Sequence, residues 1–316
     1  GGRAELVGLT ITGGFASEGG GLLIAGGGQA TLTSCAITGN AAYTRGGGLE
    51  IWKGGGQATL TSCTISENEA ASGGGLYIGD SGSVTMTDCV ISGNEAMLGY
   101  GGGGLGIGSN CQAVLTSCTI SGNAAAQGGG LLIDGTANLT SCTISGNVAR
   151  MSYFDATGQF GGAGGLKIDD FGKATLTSCT ISGNDATNNY GGGFGVLGDA
   201  TLSSCVIRGN KASYGAGLYL VGKAKMSDCM IAGNSAALQG GGLLMKAHSS
   251  MYLLSSTVTL NEADWSGGGL HLEASHNSGV FPQVDRRSTA DRPQIDHPGE
   301  IGVSVVVLGS GVALIT

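Results

Sequence analysis

The side chains best suited to chemistry in this sequence are its cysteines. Neither a Cys-x-x-Cys pair nor a histidine at ligand spacing accompanies them, so the sequence predicts no metal site. Disulfides are also disfavoured if the cysteines stack on adjacent strands, because a strand spacing of about 4.8 Å exceeds the Cβ separation of about 3.8 Å that a disulfide prefers. We therefore expect a ladder of buried free thiols, with Cys111 outside it and exposed. The ladder members recur every 24 to 37 residues: Cys35, Cys63, Cys89, Cys118, Cys142, Cys179, Cys205 and Cys229.

A second set of reactive groups consists of aspartates near one kind of turn, with a lysine close by. Cleavage of a polysaccharide uses clustered carboxylates, which hold calcium or act as acid and base, together with a basic residue. The aspartates fall at different offsets in successive repeats, as scattered turn residues would. The sequence therefore predicts no catalytic residue and no cofactor, and we expect a protein that is not an enzyme. The residues are Asp80, Asp134, Asp169, Asp170 and Asp199, with Lys167.

Threonine forms the most regular polar pattern in the chain. β-Branched threonine is a common outward residue of strands, but a flat, regular array of hydroxyls also resembles the ice-binding faces of insect antifreeze β-helices. Val114, Asn138 and Lys225 interrupt the array. We predict that its threonines form a ligand-binding face: Thr31, Thr33, Thr59, Thr61, Thr85, Thr87, Thr175 and Thr177.

A few aromatic residues follow glycine runs and are predicted to point outward. Exposed aromatic rings stack on sugars or anchor a protein partner. We therefore add Trp52 and Tyr77 to the predicted ligand-binding residues, and we expect Tyr219 and His271 to point outward as well. Further aromatics, Tyr153, Phe154 and Phe160, lie in an insertion over residues 149–162.

Two sequence motifs alternate along the chain and set the spacing of its repeats. They are Gly-Gly-Gly-Leu-x-Ile and Ala-Thr-Leu-Thr-Ser-Cys-Thr-Ile-Ser-Gly-Asn. In Cys63-Thr64-Ile65-Ser66 the apolar residues alternate with polar ones, so Cys63 and Ile65 share a face of a strand. A period in the twenties without helical spacing favours stacked coils over a leucine-rich repeat. The sequence predicts an all-β fold, a right-handed parallel β-helix of about ten three-strand coils.

The corners of the predicted coils carry glycine and asparagine. Glycine allows positive φ and close approach between coils. Asparagine tolerates the left-handed region, and stacked amides can hydrogen-bond as a ladder. We therefore expect the asparagines that follow each cysteine by five residues, from Asn40 to Asn234, to take left-handed conformations and to stack.

The composition agrees with a repeat architecture and excludes several other classes. Of 316 residues, 65 are glycine and 3 are proline, which lacks the proline content and three-residue period of collagen. The apolar fraction of 41% argues against disorder. A net charge of -8 without a basic run predicts no nucleic-acid partner and no docking on an anionic membrane.

The repeats divide the chain into three parts. Residues 1–275 form the predicted parallel β-helix, and 276–302, charged and containing proline, read as a linker. The apolar residues 303–316 are too few to span a bilayer. Two alternatives stay open for them, a strand that caps the β-helix or the start of a membrane anchor cut short. Because the first repeat has no polar cap before it, we also expect upstream coils to be missing.

Gly-Gly-Gly-Leu-x-Ile paired with Ile-Ser-Gly-Asn-x-Ala resembles the repeats of the polymorphic outer membrane proteins, within the pectate-lyase-like β-helix group. The resemblance spans about residues 5–275, although the family's aromatic before the Asn motif is isoleucine here, as at Ile65. It implies an exported protein, as is typical of the family, and several family members act as adhesins. We expect an extracellular or cell-surface adhesin or stalk that binds a glycan, a protein or a second copy of itself. Ice binding and polysaccharide cleavage by a lyase or hydrolase are the alternatives.

Overall fold

The computed structural model describes residues 1–97, 101–150 and 161–273 with their side chains. For three further strands, Gln283–Arg287, Ser304–Leu308 and Gly311–Ile315, it describes the backbone alone. Residues 151–160, which contain Tyr153, Phe154 and Phe160, lie outside the described residues. So does most of the predicted linker.

The described chain winds through ten coils whose strands form four parallel sheets. The first sheet contains Arg3–Val7, Gln29–Thr33, Gln57–Thr61, Ser83–Thr87, Gln112–Thr116, Thr136–Thr140, Lys173–Thr177, Asp199–Ser203, Lys223–Ser227, Ser250–Leu254 and Gln283–Arg287. The second contains Thr10–Thr12, Ala36–Thr38, Thr64–Ser66, Val90–Ser92, Thr119–Ser121, Thr143–Ser145, Thr180–Ser182, Val206–Arg208, Met230–Ala232 and Thr257–Thr259.

The other two sheets complete each coil. The third contains Phe15–Glu18, Ala41–Arg45, Glu69–Ala70, Glu95–Ala96, Ala124–Ala125, Val148–Ala149, Asp185–Tyr190, Lys211–Tyr214, Ser235–Gln239 and Glu262–Ala263. The fourth contains Leu22–Ala25, Leu49–Trp52, Leu76–Ile78, Leu105–Ile107, Leu131–Ile133, Leu166–Ile168, Phe194–Val196, Leu218–Leu220, Leu243–Met245 and Leu270–Leu272.

The prediction of an all-β parallel β-helix of about ten coils is confirmed, but three strands per coil is wrong. The additional strand belongs to the third sheet and has only two residues in five of the ten coils, as in Glu69–Ala70 and Ala124–Ala125. Two residues cannot show the period of two by which a strand is recognised in sequence. The strand exists because coils stack, as when the Glu69 N–H donates to the Asn40 carbonyl at 2.9 Å.

Strict register between coils builds the core. Ile65 pairs with Ile37 on one side and Ile91 on the other, so identical side chains stack. Leu60, Cys63 and Ile65 are buried as the alternation predicts, with 1% exposure or less. One apolar cluster of such residues extends from Ile24 to Met251.

Backbone strain at the corners falls on different residues from those expected. The residue before each ladder cysteine adopts positive φ, as at Ser62 (53°). The residue before each ladder asparagine does the same, usually a glycine such as Gly93 (64°). The asparagines themselves do not have positive φ, so their expected left-handed conformation is wrong. The preceding residue takes that turn, which aims the asparagine side chain inward.

The expected asparagine ladder is present. The amide Nδ2 of Asn68 donates to Oδ1 of Asn94 at 3.0 Å, and the Asn68 backbone N–H donates to the same oxygen at 3.0 Å. This contact repeats from Asn40 to Asn261, and the ladder members from Asn40 to Asn234 are buried. Asn68 Nδ2 also donates to the Ile37 carbonyl at 2.9 Å, so each corner satisfies its buried polar groups through the coils on both sides.

Three strands follow the coil that ends at Leu272. Gln283–Arg287, within the predicted linker, pairs in parallel with Ser250–Leu254. In the apolar segment, Ser304–Leu308 and Gly311–Ile315 form an antiparallel pair. Among the described residues, no helix has the length and apolar character needed to cross a membrane.

Candidate functional site

The predicted threonines lie on the outer side of the first sheet, which we call the hydroxyl face. Thr31, Thr59 and Thr85 are exposed and stack in register as a middle column. Val114 and Asn138 continue this column before Thr175 and break its pattern. The structure therefore brings the predicted threonines together on one surface.

A second column on the same face is unbroken, and we call it the edge column. The Thr-x-Thr pattern does not include two of its members, Thr116 and Thr140, because Val114 and Asn138 replace the first threonine of the pattern in those strands. Strand register identifies them directly. Through eight consecutive coils the edge column consists of Thr33, Thr61, Thr87, Thr116, Thr140, Thr177, Ser203 and Ser227.

Hydroxyls in neighbouring coils lie close enough to contact one another. The Ser203 hydroxyl donates to Oγ1 of Thr177 at 3.3 Å in the edge column. The second sheet carries a similar surface, where the Ser66 hydroxyl donates to Oγ1 of Thr38 at 3.1 Å. The β-helix thus presents two adjoining rows of hydroxyls at the spacing of its strands, about 4.8 Å.

Trp52 and Tyr77 do not join the hydroxyl face. They lie on the fourth sheet, where both are half-buried, and their ring centroids are 6.2 Å apart. Tyr219 occupies the same register position as Tyr77 further along the sheet but is only 3% exposed, so the expectation that it is an accessible aromatic is wrong. It packs against Tyr190 of the third sheet with ring centroids 4.6 Å apart.

Part of the outer side of the fourth sheet is covered because the chain folds back over it. In two of the described coils, a residue at or shortly after the end of the third-sheet strand contacts the residue five positions later. Arg45 contacts Glu50 in this way, and Ser266 hydrogen-bonds Nδ1 of His271 at 3.1 Å. The positive φ of the intervening glycine, as at Gly46 (61°), allows the reversal.

A group of four charges surrounds Arg45 where the third and fourth sheets meet, and we call it the Arg45 cluster. The guanidinium of Arg45 lies over the indole of Trp52, 3.7 Å from the ring centroid. Its Nη2 is 3.2 Å from a carboxylate oxygen of Glu18, whose other oxygen is 3.1 Å from Nζ of Lys53. The cluster consists of Glu18, Arg45, Glu50, Trp52, Lys53 and Tyr77.

Glu50 is the buried member of this cluster. Its side chain is fully buried, and Oε1 lies 3.3 Å from Nε of Arg45. Burial raises the pKa of Glu50 to about 7, against the lowering effect of Arg45. The hydrogen bond from Lys53 instead lowers the pKa of Glu18. The pKa values of the two carboxylates beside this arginine are therefore shifted in opposite directions.

Three of the aspartates considered for catalysis have separate partners. Asp80 accepts a hydrogen bond from the Lys53 backbone N–H at 3.2 Å, and Asp134 bonds with Ser109. Asp169 pairs with Lys167, whose buried amine also donates to Gln127 at 3.0 Å. In the described part of the chain, no group of three histidine, cysteine, aspartate or glutamate residues is placed to hold a metal ion.

The cysteine ladder is buried, as predicted, and every thiol of the nine is free. The sulfur of each ladder member lies near the backbone, as when the Cys142 thiol donates to the Thr140 carbonyl at 3.3 Å. Cys111 is 1% exposed, so its predicted exposure is wrong. The positive φ of Asn110 (62°) turns Cys111 into the core, where burial raises the pKa of its thiol.

Comparison with known families agrees with this architecture. A family model described as the right handed beta helix region matches residues 1–159 and 129–283. The chain belongs to the right-handed β-helix family. Searches of curated proteins and of solved structures returned no match to this β-helix. Because β-helices include enzymes and binding proteins, membership leaves the function to be argued from the site.

Proposed function

We propose that this β-helix is a non-catalytic binding protein that presents its hydroxyl face to a glycan at the cell surface. The edge column carries the proposal, since eight consecutive coils offer a hydroxyl at the same position. An extended polysaccharide also repeats hydroxyls along its length, so one polymer can contact many coils. Export as an adhesin or stalk is supported by the resemblance of the repeats to polymorphic outer membrane proteins.

Hydroxyl groups supply both the donor and the acceptor that sugar hydroxyls need. Each contact contributes little in water, about 0.5–1.5 kcal/mol. Repetition along a rigid face makes the sum useful, because the strands are already ordered before the ligand binds. A long, flat surface therefore suits a polymer better than a small molecule, which binds in a concave pocket.

The test removes hydroxyls without changing shape. A triple variant replaces three consecutive edge-column threonines, Thr87, Thr116 and Thr140, by valine. Its binding to a panel of soluble and insoluble polysaccharides is compared with that of wild type. If each hydroxyl contributes about 1 kcal/mol, the triple variant loses roughly 100-fold in affinity for the polysaccharide that wild type binds.

The matched control replaces Thr119, Thr143 and Thr180 by valine on the second sheet. This variant has the same composition in neighbouring coils and keeps the hydroxyl face intact. Equal loss in both triple variants, or no polysaccharide bound by wild type, contradicts the proposal.

Ice binding is the second candidate, favoured by the same unbroken column. An ice lattice requires flatness more than hydrogen-bond exchange, so bulk is the discriminating change. Thr59→Tyr on the hydroxyl face is expected to abolish thermal hysteresis, whereas Thr64→Tyr, exposed on the second sheet of the same coil, retains it. Absence of thermal hysteresis in wild type removes this candidate and leaves the glycan proposal standing.

A further inference from the structure

The Arg45 cluster contains an anomaly in hydrogen bonding. Buried polar atoms in proteins nearly always have a hydrogen-bond partner, and exceptions call for an explanation. Among the described residues, the buried side-chain atoms without one are Nε of Arg45 and both carboxylate oxygens of Glu50. The ion pair between these two side chains, at 3.3 Å, lacks the geometry of a hydrogen bond.

The surroundings of Glu50 explain why the carboxyl is costly to ionise there. Its strand neighbours in the fourth sheet are Leu23 and Tyr77. The Gly46 corner closes over it, since a Cβ added to Gly46 would lie 2.6 Å from Cβ of Glu50. The charged groups that act on Glu50 are Arg45, Glu18 and Lys53. Tyr77, on the adjacent strand, is the other titratable neighbour.

Arg45 cannot satisfy every partner at once. Its guanidinium is held by Glu18 on the third sheet and by the face of Trp52 on the fourth. A neutral Glu50 needs little stabilisation from the Arg45 guanidinium, because burying a neutral polar group costs far less free energy than burying a charge. An ionised Glu50 needs donated hydrogen bonds, and Arg45 is the cation beside it.

We propose that Glu50 is a proton-operated switch that sets whether Arg45 covers Trp52. With Glu50 protonated, Arg45 stays on the indole and bound to Glu18. With Glu50 ionised, the guanidinium turns toward it to donate hydrogen bonds, leaves the indole and uncovers an aromatic face. No covalent step is involved, and the only exchange is one proton with solvent. The switch is independent of the hydroxyl face, which lies on another sheet.

Trp52 provides the readout. Since the chain has two tryptophans, Trp265→Phe makes Trp52 the single reporter. Acrylamide quenching is measured at about pH 5.5 and about pH 8.5, where a carboxyl of pKa near 7 is almost fully protonated and almost fully ionised. Quenching is expected to rise about twofold at the higher pH, as the cation leaves the ring. The midpoint of the full titration is expected at about 7.

Three variants in the Trp265→Phe background decide the cause, with circular dichroism to verify folding. Glu50→Gln keeps the shape without an ionisable proton and is expected to lose the pH response. Arg45→Met removes the moving group and is expected to expose Trp52 at both pH values. Glu18→Gln removes the competing anchor, and the response is expected to persist.

A pH response that survives in Glu50→Gln overturns the proposal, as does a wild-type reporter that does not titrate between these values. If Glu50→Gln fails to fold, Arg45→Met still decides. A pH response of Trp52 that is unchanged without Arg45 would also overturn the switch.

Discussion

Asn123 allows the stability of the corner ladder to be measured at a single residue. It is fully buried and takes part in four side-chain hydrogen bonds. Its Nδ2 donates to the Ile91 carbonyl at 3.0 Å and to Oδ1 of Asn147 at 3.0 Å. Its Oδ1 accepts from the backbone N–H of Asn94 at 3.0 Å and from Nδ2 of Asn94 at 2.9 Å. Asn123→Ala removes all four and keeps the backbone bond from Asn123 N–H to Asn147.

The expected cost follows from these bonds. At about 1 kcal/mol for each net hydrogen bond, four contribute roughly 4 kcal/mol. The loss is not softened by water, because the Asn94 backbone N–H and amide stay buried after the change. We therefore expect Asn123→Ala to lower the free energy of unfolding by about 3–5 kcal/mol.

Urea unfolding followed by circular dichroism measures this change, and amide hydrogen exchange locates it. Exchange is expected to quicken most in the two coils around Asn94, since repeat proteins lose structure locally. Ser121→Ala, an outward change in the same coil, is the control and should stay within about 0.5 kcal/mol of wild type. If Asn123→Ala costs no more than Ser121→Ala, the ladder does not stabilise the corner and the reasoning is refuted.

Three further predictions test the core, the corners and the buried carboxyl. Gly75→Ala should lower the melting temperature more than Gly93→Ala, because a Cβ added at Gly75 would lie 2.6 Å from the Gly104 carbonyl oxygen. At Gly93 the nearest atom is 3.8 Å away, so alanine there costs only the strain of positive φ, about 1 kcal/mol. Iodoacetamide should leave native thiols unmodified and alkylate all nine after denaturation, as seen by mass spectrometry, since all are buried and the pKa of Cys142 is raised to about 11; native modification would contradict the burial. The folded pKa of Glu50 lies above its ordinary 4.5, so its contribution to stability is complete below about 4.5 and is lost as pH rises through about 7. The melting temperature, measured at a series of pH values, should fall over this range in wild type and should not do so in Glu50→Gln.

Much of the fold could be predicted from the sequence, because its signal is local and repeated. Cys63 and Ile65 alternate with polar residues, and that alternation alone indicates a strand with one buried face. Ten repetitions then make a stack the only arrangement that buries every such face. The ladder of asparagines follows from the same register.

Other features escaped prediction because their cause is not local. The two-residue strand Glu69–Ala70 is stabilised by adjoining coils and carries no pattern of its own. Cys111 resembles a turn residue in sequence, and only the backbone conformation of Asn110 directs it inward. Tyr219 alternates outward as expected, yet Tyr190 from the neighbouring sheet covers it.

The sequence by itself determined the parallel β-helix, its buried thiols and the row of threonines, since each depends on spacing along one coil. Only the tertiary structure decided which residues meet across coils. The edge column became continuous when strand register aligned Thr116 and Thr140 with their neighbours. The chain reversal at Gly46 brings Arg45 against Glu50 within one coil, and the stacking of the preceding coil places Glu18 beside Arg45. Their contact depends on stacking and on a corner, which no spacing in the sequence encodes.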